Sequence, residues 1–298
     1  MIATVGRPRC VEDALSLLRT QTRRPDLVLL SATGPGDLPR DLDGLLAALP
    51  FEAEVVVGQK GLTRQRNRAL DAVTARCEGR NGFVVFFDDD FVPRDDWLEN
   101  AAAEFADRPS CIGLTGVLLA DGASGPGYSQ SQAVEIIRKG TGLLRGGDVR
   151  YRAGPARALY GCNMAFRLQA VGAAIFDEAL PLYGWLEDED VSGQLRKLGE
   201  LVRSARLVGV HLGVKAGRVS GANYGYSQIA NPIYLVRKGT YAAPHAARLM
   251  ARNLASNILR TPFPEPYVDR WSRLRGNLHA LRDLLLGRLH PGGATAFR

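Results

Sequence analysis

The apolar run Gly82-Phe83-Val84-Val85-Phe86-Phe87 stops at three consecutive carboxylates, Asp88-Asp89-Asp90. Short runs rich in Val and Phe read as buried strands, most often parallel ones covered on both faces. Carboxylates where such a strand leaves the core stand at the mouth of the sheet, where open α/β folds bind ligands. Side chains alternate along a strand, so Asp88 and Asp90 project to one side and Asp89 to the other. Two like charges that close repel unless a cation lies between them, and hard oxygen ligands suit Mg2+ or Mn2+. An ion held by few protein ligands completes its shell with phosphate oxygens. An acidic strand end solvated in a turn is the alternative these residues alone leave open.

A second cluster, Glu187-Asp188-Glu189-Asp190, follows Tyr183-Gly184-Trp185-Leu186. Val191, Leu195 and Leu198 then fall at helical spacing up to Gly199, so the four acids occupy the first turn of a short helix. The helix macrodipole alone favours carboxylates there. Read singly the cluster is a helix start, with a sugar-binding wall beside two aromatics as the alternative.

The elements that must position these groups follow from periodicity. Met1–Val5, Asp26–Leu30, Ala53–Val57 and the run ending at Asp88 read as strands. Helical periods separate them: Val11, Ala14, Leu15 and Leu18 up to Thr22, then residues 42–49, then 63–74. This alternation implies a parallel sheet with right-handed crossovers. From Asp121 to Pro155 the chain is rich in Gly and Ser. That stretch reads as a mobile excursion near the active site, with one helix near 132–138. Residues 246–259 and 271–289 read as helices, and Pro291 to Arg298 as a disordered tail. The last helix presents Leu274, Leu278, Leu281 and Leu285 on one side, with Arg273, Arg275, Arg282 and Arg288 around it. Such a helix either lies on an anionic bilayer or covers the domain's own core.

A chain of 298 residues has room for one large α/β domain and a smaller appendage. Its 38 basic and 31 acidic residues give a net charge of +7, which suits a polyanionic ligand or an acidic membrane surface. Nucleic-acid binding would need basic and aromatic residues clustered on one face, and only Trp271 stands near the C-terminal arginines. Cys10, Cys77, Cys111 and Cys162 form neither a zinc pattern nor a disulfide framework. No segment approaches the roughly 20 apolar residues of a membrane span. The expectation is a cytoplasmic protein, peripheral at most at the inner face of the cell membrane.

Five blocks then fall in a telling order. Ile2-Ala3-Thr4-Val5-Gly6-Arg7-Pro8 and Gln21-Thr22-Arg23-Arg24-Pro25-Asp26 open the chain. Gly61-Leu62-Thr63-Arg64-Gln65-Arg66-Asn67-Arg68-Ala69-Leu70 comes next, followed by Phe87-Asp88-Asp89-Asp90 with Pro93 and Trp97-Leu98. Gly161-Cys162-Asn163-Met164-Ala165-Phe166-Arg167 with Phe176-Asp177-Glu178, and then Glu187 to Asp190, complete the series. Together they resemble the inverting glycosyltransferases of family 2, over about the first four-fifths of the sequence. The resemblance implies an α/β GT-A fold with a mostly parallel central sheet over residues 1–238. Within it the nucleotide-sugar half would take about 1–120 and the acceptor half about 121–238, leaving 239–298 as a C-terminal helical extension.

It also implies non-processive transfer of one sugar from a nucleotide-sugar donor. The acceptor would be a hydroxyl of a glycan or lipid-linked acceptor in cell-surface polysaccharide synthesis. Asp90 and Asp88 would hold Mg2+ or Mn2+, with His211 completing the site as a His does in some GT-A enzymes. Thr4, Arg7, Ser31, Lys60, Arg64, Asn67, Asp88 and Asp89 fall at donor-binding positions, and Asn163 and Trp185 at acceptor-binding ones. Asp188 occupies the base position, with Glu187 placed to orient the acceptor; an inverting displacement needs a base for the acceptor's proton. Three departures stand out. Ser31-Ala32-Thr33 lies where the family often has an acid for the donor's base, and Gln194 lies where Arg is common. Tyr267 replaces the Gln of the processive Q-x-x-R-W motif ahead of Arg270-Trp271. Two other classes stay open. One is a sugar-phosphate nucleotidyltransferase, for which Gly6-Arg7-Pro8 is a slight nucleotide loop. The other is a degenerate glycan-binding scaffold, which intact Asp88, Asp90 and Asp188 disfavour.

Overall fold

The computed structural model describes residues 1–77, 79–123, 125–140, 153–172, 175–215 and 220–297. The chain divides into two compact units. The first comprises Met1–Lys60, Gln65–Ile175 and Leu195–Gly217; the second comprises Gly61–Arg64, Phe176–Gln194 and Arg218–Arg298.

The described part of the first unit carries strands β1 (Ile2–Ala3), β2 (Leu27–Ala32), β3 (Glu52–Val57), β4 (Phe83–Asp88), β5 (Phe91–Pro93), β6 (Cys111–Asp121), β7 (Gly154–Pro155), β8 (Asn163–Arg167) and β9 (Glu200–His211). They form one sheet in the order β3-β2-β1-β4-β8-β6-β9-β5, with β7 paired to β9. β1, β2, β3, β4, β6 and β9 run one way, and β5, β7 and β8 run against them. Helices α1 (Pro8–Arg19), α2 (Leu42–Ala47), α3 (Leu62–Cys77, its first three residues belonging to the second unit), α4 (Trp97–Asp107) and α5 (Gln130–Gly140) accompany the strands. α1 buries Val11, Ala14, Leu15 and Leu18, the positions that its 3.6-residue period marks as inward. The core they enter is closed by Phe87 and Trp97, whose rings meet edge to face at 4.8 Å. The excursion expected after Asp121 contains α5, and its residues 141–152 lie outside the described residues.

The second unit is built on α6 (Glu187–Leu195, its last residue belonging to the first unit), α7 (Gly221–Lys238), α8 (Ala243–Arg260) and α9 (Arg270–Leu285). Periodicity hides α7, because Gly225, Asn231 and Pro232 interrupt its pattern; all three are buried. Where α7 and α9 cross most closely they meet through small residues, with Leu281 and Leu284 packed beside the crossing. A Cβ on Gly225 would lie 2.0 Å from the Arg273 carbonyl, and one on Gly276 2.1 Å from the Ala222 carbonyl. Asn277 Nδ2 donates to the Gly225 carbonyl at 2.6 Å, and Asn257 Nδ2 donates to Gln228 Oε1 at 2.9 Å and Asn277 Oδ1 at 2.8 Å. These polar groups are fully enclosed, so each bond also avoids the cost of an unpaired buried group. The last helix ends at Leu285, four residues short of the expected 289, where Gly287 takes φ +69°.

The expected disordered tail is corrected over residues 291–297. Pro291–Ala296 forms a 3-10 turn that buries Pro291 and Ala294, and Phe297 packs on Tyr226 with ring centroids 5.8 Å apart. Apolar contact with α7 orders a segment that composition alone marks as loose.

Gly276→Ala tests the close crossing. In an exposed helix the change would gain about 1 kcal/mol, but backbone atoms occupy the Cβ position and overpacking costs roughly 1–3 kcal/mol. The melting midpoint is expected to fall by a few degrees; an unchanged or higher midpoint would refute the crossing.

Candidate active site

Strand register assembles the acidic cluster. Ala3 of β1 pairs with Asp88 at the end of β4, and Asp89-Asp90 turn the chain into β5. β5 runs antiparallel to β9 with Phe91 opposite His211, and β6 runs parallel to β9 with Asp121 opposite His211. The Leu212 amide donates to the Asp90 carbonyl at 2.9 Å. Three strand ends thus converge where side chains of Asp88, Asp90, Asp121 and His211 share one region. Gly209 makes this possible two residues earlier, because a Cβ there would lie 2.2 Å from the Phe91 ring.

Asp90 Oδ1 lies 3.3 Å from His211 Nε2, and its Oδ2 accepts from the Val214 amide at 2.8 Å. His211 Nδ1 lies 2.9 Å from Asp121 Oδ1, and Tyr160 donates its hydroxyl to Asp121 Oδ2 at 2.8 Å. Arg66, which is 3% exposed, reaches Asp88 Oδ1 at 3.0 Å and the Gly161 carbonyl at 2.9 Å. Arg7 lies 2.9 Å from Asp89 Oδ1 and 3.5 Å from Asp90 Oδ2, and Thr4 donates to Asp89 Oδ2 at 2.7 Å.

Protonation follows the contacts. Burial pushes Asp88 up in spite of Arg66. Burial raises Asp89 to about 7, against the pull of Arg7 and with the neighbouring Asp90 adding to the rise. Burial opposes ionisation of Asp90 as well, but hydrogen bonding and charge at His211 prevail and hold its pKa below the usual value. His211 is driven to about 10: burial works against its charge, and the bonds to Asp121 and Asp90 overcome it.

The donor set fits a divalent cation. One ligand atom from each of Asp88, Asp90 and His211 lies within 4.8 Å of the others. Carboxylate oxygens with one imidazole nitrogen are a set that Mn2+ accepts and Mg2+ tolerates. Among the described groups in direct contact, four carboxylates face two guanidiniums and His211, an acidic excess that a divalent cation would relieve on displacing the His211 proton. The Asp121 carboxylate behind His211 stands where an outer partner would orient the imidazole toward such an ion.

Of the donor-binding expectations, Thr4 and Asp89 lie together beside Arg7 and are engaged with each other. Ser31 is buried at the end of β2, where Arg68 donates to its hydroxyl at 3.1 Å. Lys60 and Arg64 are exposed, and Arg64 lies 3.5 Å from Glu178. Asn67 is half-buried on α3. Asn163, expected at an acceptor position, is completely enclosed. Its Oδ1 accepts from the Thr115 hydroxyl at 2.9 Å and the Gly116 amide at 2.7 Å, so it pins β8 to β6 and offers nothing to an acceptor.

In the second unit, Glu187 and Asp188 stand in the first turn of α6. The approach to that turn is strained: Leu182 and Leu186 have φ +60° and +74°, a region that costs a branched side chain energy. Asp188 Oδ1 accepts from the Glu189 amide at 2.8 Å. Asp190 is fully buried and bound to Thr240 at 2.6 Å, Lys238 at 2.7 Å and Gln194 at 3.1 Å. It anchors α6, and Gln194 serves that anchor. Trp185 is half-buried, its ring 5.6 Å from that of Tyr224 and its carbonyl bound to Asn231 at 2.7 Å.

Sequence reasoning missed Asp121, Tyr160 and Arg66 as site residues. A signal for the first existed: Asp121 ends the apolar run Val117-Leu118-Leu119-Ala120 just as Asp88 ends its own. Arg66 stands among Arg64 and Arg68, and only burial singles it out.

With the geometry in place, comparison with known proteins gives the class. Residues 11–171 match the model of glycosyl transferase family 2. The chain belongs to that family, and it is a glycosyltransferase. Among solved structures it is similar to the mannosyltransferase PcManGT from Pyrobaculum calidifontis in complex with GDP-Man and Mn2+. That likeness has a TM-score of 0.56 at 16% identity, covering 96% of this chain and 86% of that one. A looser likeness is to S. aureus TarS, with a TM-score of 0.49 at 17% identity, covering 88% of this chain and 43% of that one. The likeness to PcManGT extends the GT-A fold beyond the matched residues. Among curated proteins none matches the sequence significantly.

Asp121→Asn is expected to weaken Mn2+ binding by roughly 10–100-fold, the usual effect of removing an outer-shell carboxylate. Tyr160→Phe should act in the same direction to a smaller extent. Calorimetric titration of Mn2+ reads both, and wild-type affinity in Asp121→Asn would show that His211 needs no such support.

Proposed function

We propose that the chain is an inverting, metal-dependent glycosyltransferase that moves one sugar from a nucleotide-sugar donor to a hydroxyl of a glycan or lipid-linked acceptor. The observation that carries this reading is the grouping of Asp88, Asp90 and His211 where β4, β5 and β9 converge. Mg2+ or Mn2+ held by those three residues would offset charge developing on a diphosphate leaving group. PcManGT, bound to GDP-Man and Mn2+, supports that chemistry by likeness. Thr4 and Arg7 border the cluster on the β1 side, and Ser31, Lys60, Arg64 and Asn67 take the remaining donor roles.

Inversion requires one in-line attack, so the acceptor hydroxyl must lose its proton to a single base. Asp188 takes that proton in this reading, and Glu187, 95% enclosed at the same helix start, orients the acceptor. The dipole of α6 favours ionised Asp188. Trp185 offers the acceptor an aromatic edge. A lipid-linked acceptor of surface-polysaccharide synthesis would place the protein at the inner face of the cell membrane.

Sugar transfer and donor hydrolysis across a panel of nucleotide-sugars, with and without Mn2+, test the reading. One donor should be consumed in a chelator-sensitive way with inversion at the anomeric carbon. Asp188→Asn should cut turnover by roughly 10²–10⁴-fold, the usual worth of a positioned base, with donor affinity unchanged. Retained turnover with collapsed donor affinity would make Asp188 a donor ligand and contradict the assignment.

A further inference from the structure

α9 turns half of its large apolar side chains outward, while Leu281 and Leu284 pack on the cluster around Tyr226. Its buried positions are Gly276, Asn277 and Ala280. Trp271, Leu278 and Leu285 are 59%, 54% and 88% exposed, and their seven-residue spacing puts them in one line along the helix. Arg275 and Arg282 fall on the same face, and both are exposed. The expected leucine side is therefore split: Leu274 and Leu281 are half-buried, while Leu278 and Leu285 are not. An amphipathic helix of a water-surrounded domain turns its leucines to the core. Here the seam of Gly225, Gly276, Asn257 and Asn277 occupies the core side, so the stripe stays outside.

The same unit holds the rest of the chain's unusual surface. Of the exposed large apolar residues among those described, eight of fourteen lie between Ile258 and Leu286, with Phe263 at 85% and Leu259 at 75%. Residues 239–298 contain nine arginines and three carboxylates, which is six of the chain's seven net positive charges. All three carboxylates are engaged. Glu265 pairs with Arg260 and Arg270, Asp269 caps α9 through the Ser272 amide at 2.9 Å, and Asp283 accepts from Tyr226 at 2.8 Å. No acid interrupts the outward stripe. No helix among the described residues is long and apolar enough to cross a membrane.

We propose that the outward face of α9, with Trp271, Leu278 and Leu285 inserted and Arg275 and Arg282 on the headgroups, docks the protein on an anionic lipid bilayer. Charge complementarity selects this occupant: a neutral apolar partner would satisfy the leucines and leave the arginines without a counterpart. The stripe runs about 21 Å along the surface, and shallow insertion with basic flanks is the geometry of an in-plane helix. The proposal builds on the lipid-linked acceptor reading, because a soluble acceptor gives the docking no purpose. Its physical content is measured without donor or acceptor, so either can fail alone.

Vesicle co-sedimentation of the full chain tests it. Binding should rise with the anionic lipid fraction and fall with salt, as screening over about 8–10 Å requires. Arg275→Gln with Arg282→Gln should weaken binding about thirty-fold, from two basic contacts. Leu278→Ser with Leu285→Ser, both exposed and therefore harmless to folding, should remove insertion, read as loss of the Trp271 fluorescence blue shift on vesicles. Nucleoside diphosphate binding should stay unchanged in both variants, so its loss in the parent would count against the transferase reading and not against docking. Indifference of the parent to anionic vesicles overturns the proposal. So does a stable dimer in solution that the Leu278→Ser, Leu285→Ser variant dissociates, since a second copy would then own the stripe.

Discussion

Four carboxylates converge at one end of the sheet, and keeping them together is the constraint on which the first unit depends. Two unit charges about 4 Å apart repel by roughly 4 kcal/mol at the effective dielectric of a protein. A fold that is stable by only about 5–15 kcal/mol cannot leave several such pairs uncompensated. Arg66 and Arg7 answer Asp88 and Asp89, and His211 stands between Asp90 and Asp121. The arrangement pairs each carboxylate with a basic group while Asp88, Arg7 and Asp121 keep part of their surface open. A divalent cation entering it would meet carboxylates already held in place, and would displace the His211 proton to gain the imidazole.

The antiparallel strand β5 is what turns an acidic strand end into a site. Three residues long, it pairs Phe91 with His211 and so brings the end of β9 beside Asp90. Parallel pairing of β6 with β9 then brings Asp121 behind the imidazole. Bulges along β6, between Cys111 and Gly113, between Thr115 and Val117 and between Leu118 and Ala120, adjust the register over the length needed to do this. The α6 acids show the opposite use of the same residue type. Asp190 is committed to Lys238 and Thr240 as an anchor, whereas Asp188 sits in the half-exposed first turn behind two strained leucines.

Much of this was legible in the residues. The strand ending at Asp88, the inward face of α1 and the acidic start of α6 all follow from period and charge. The strand end and the ordered motifs point to Asp88 and Asp90, the family resemblance adds His211, and the structure brings those three side chains within reach of one another. What was not legible depends on pairing partners distant in sequence. Asp121 becomes a site residue only through β6–β9 register, and Asn163 loses its acceptor role only because Thr115 and Gly116 enclose it. α7 escaped because its buried face is made of Gly225, Asn231 and Pro232, residues that periodicity counts as breaks. The ordered tail escaped for a related reason: its contacts are with Tyr226, a residue of that same unread helix.

Metal-dependent recognition of a diphosphate at the β4–β5 turn is the property on which the proposed transfer depends. Calorimetric titration of a nucleoside diphosphate into the protein, with Mn2+ and then with excess chelator, measures it directly, and Asp90→Ala supplies the local control. Binding that requires Mn2+ and is lost in a folded Asp90→Ala protein is the predicted result. Binding of equal strength in chelator, or Mn2+-dependent binding that survives Asp90→Ala, would contradict it.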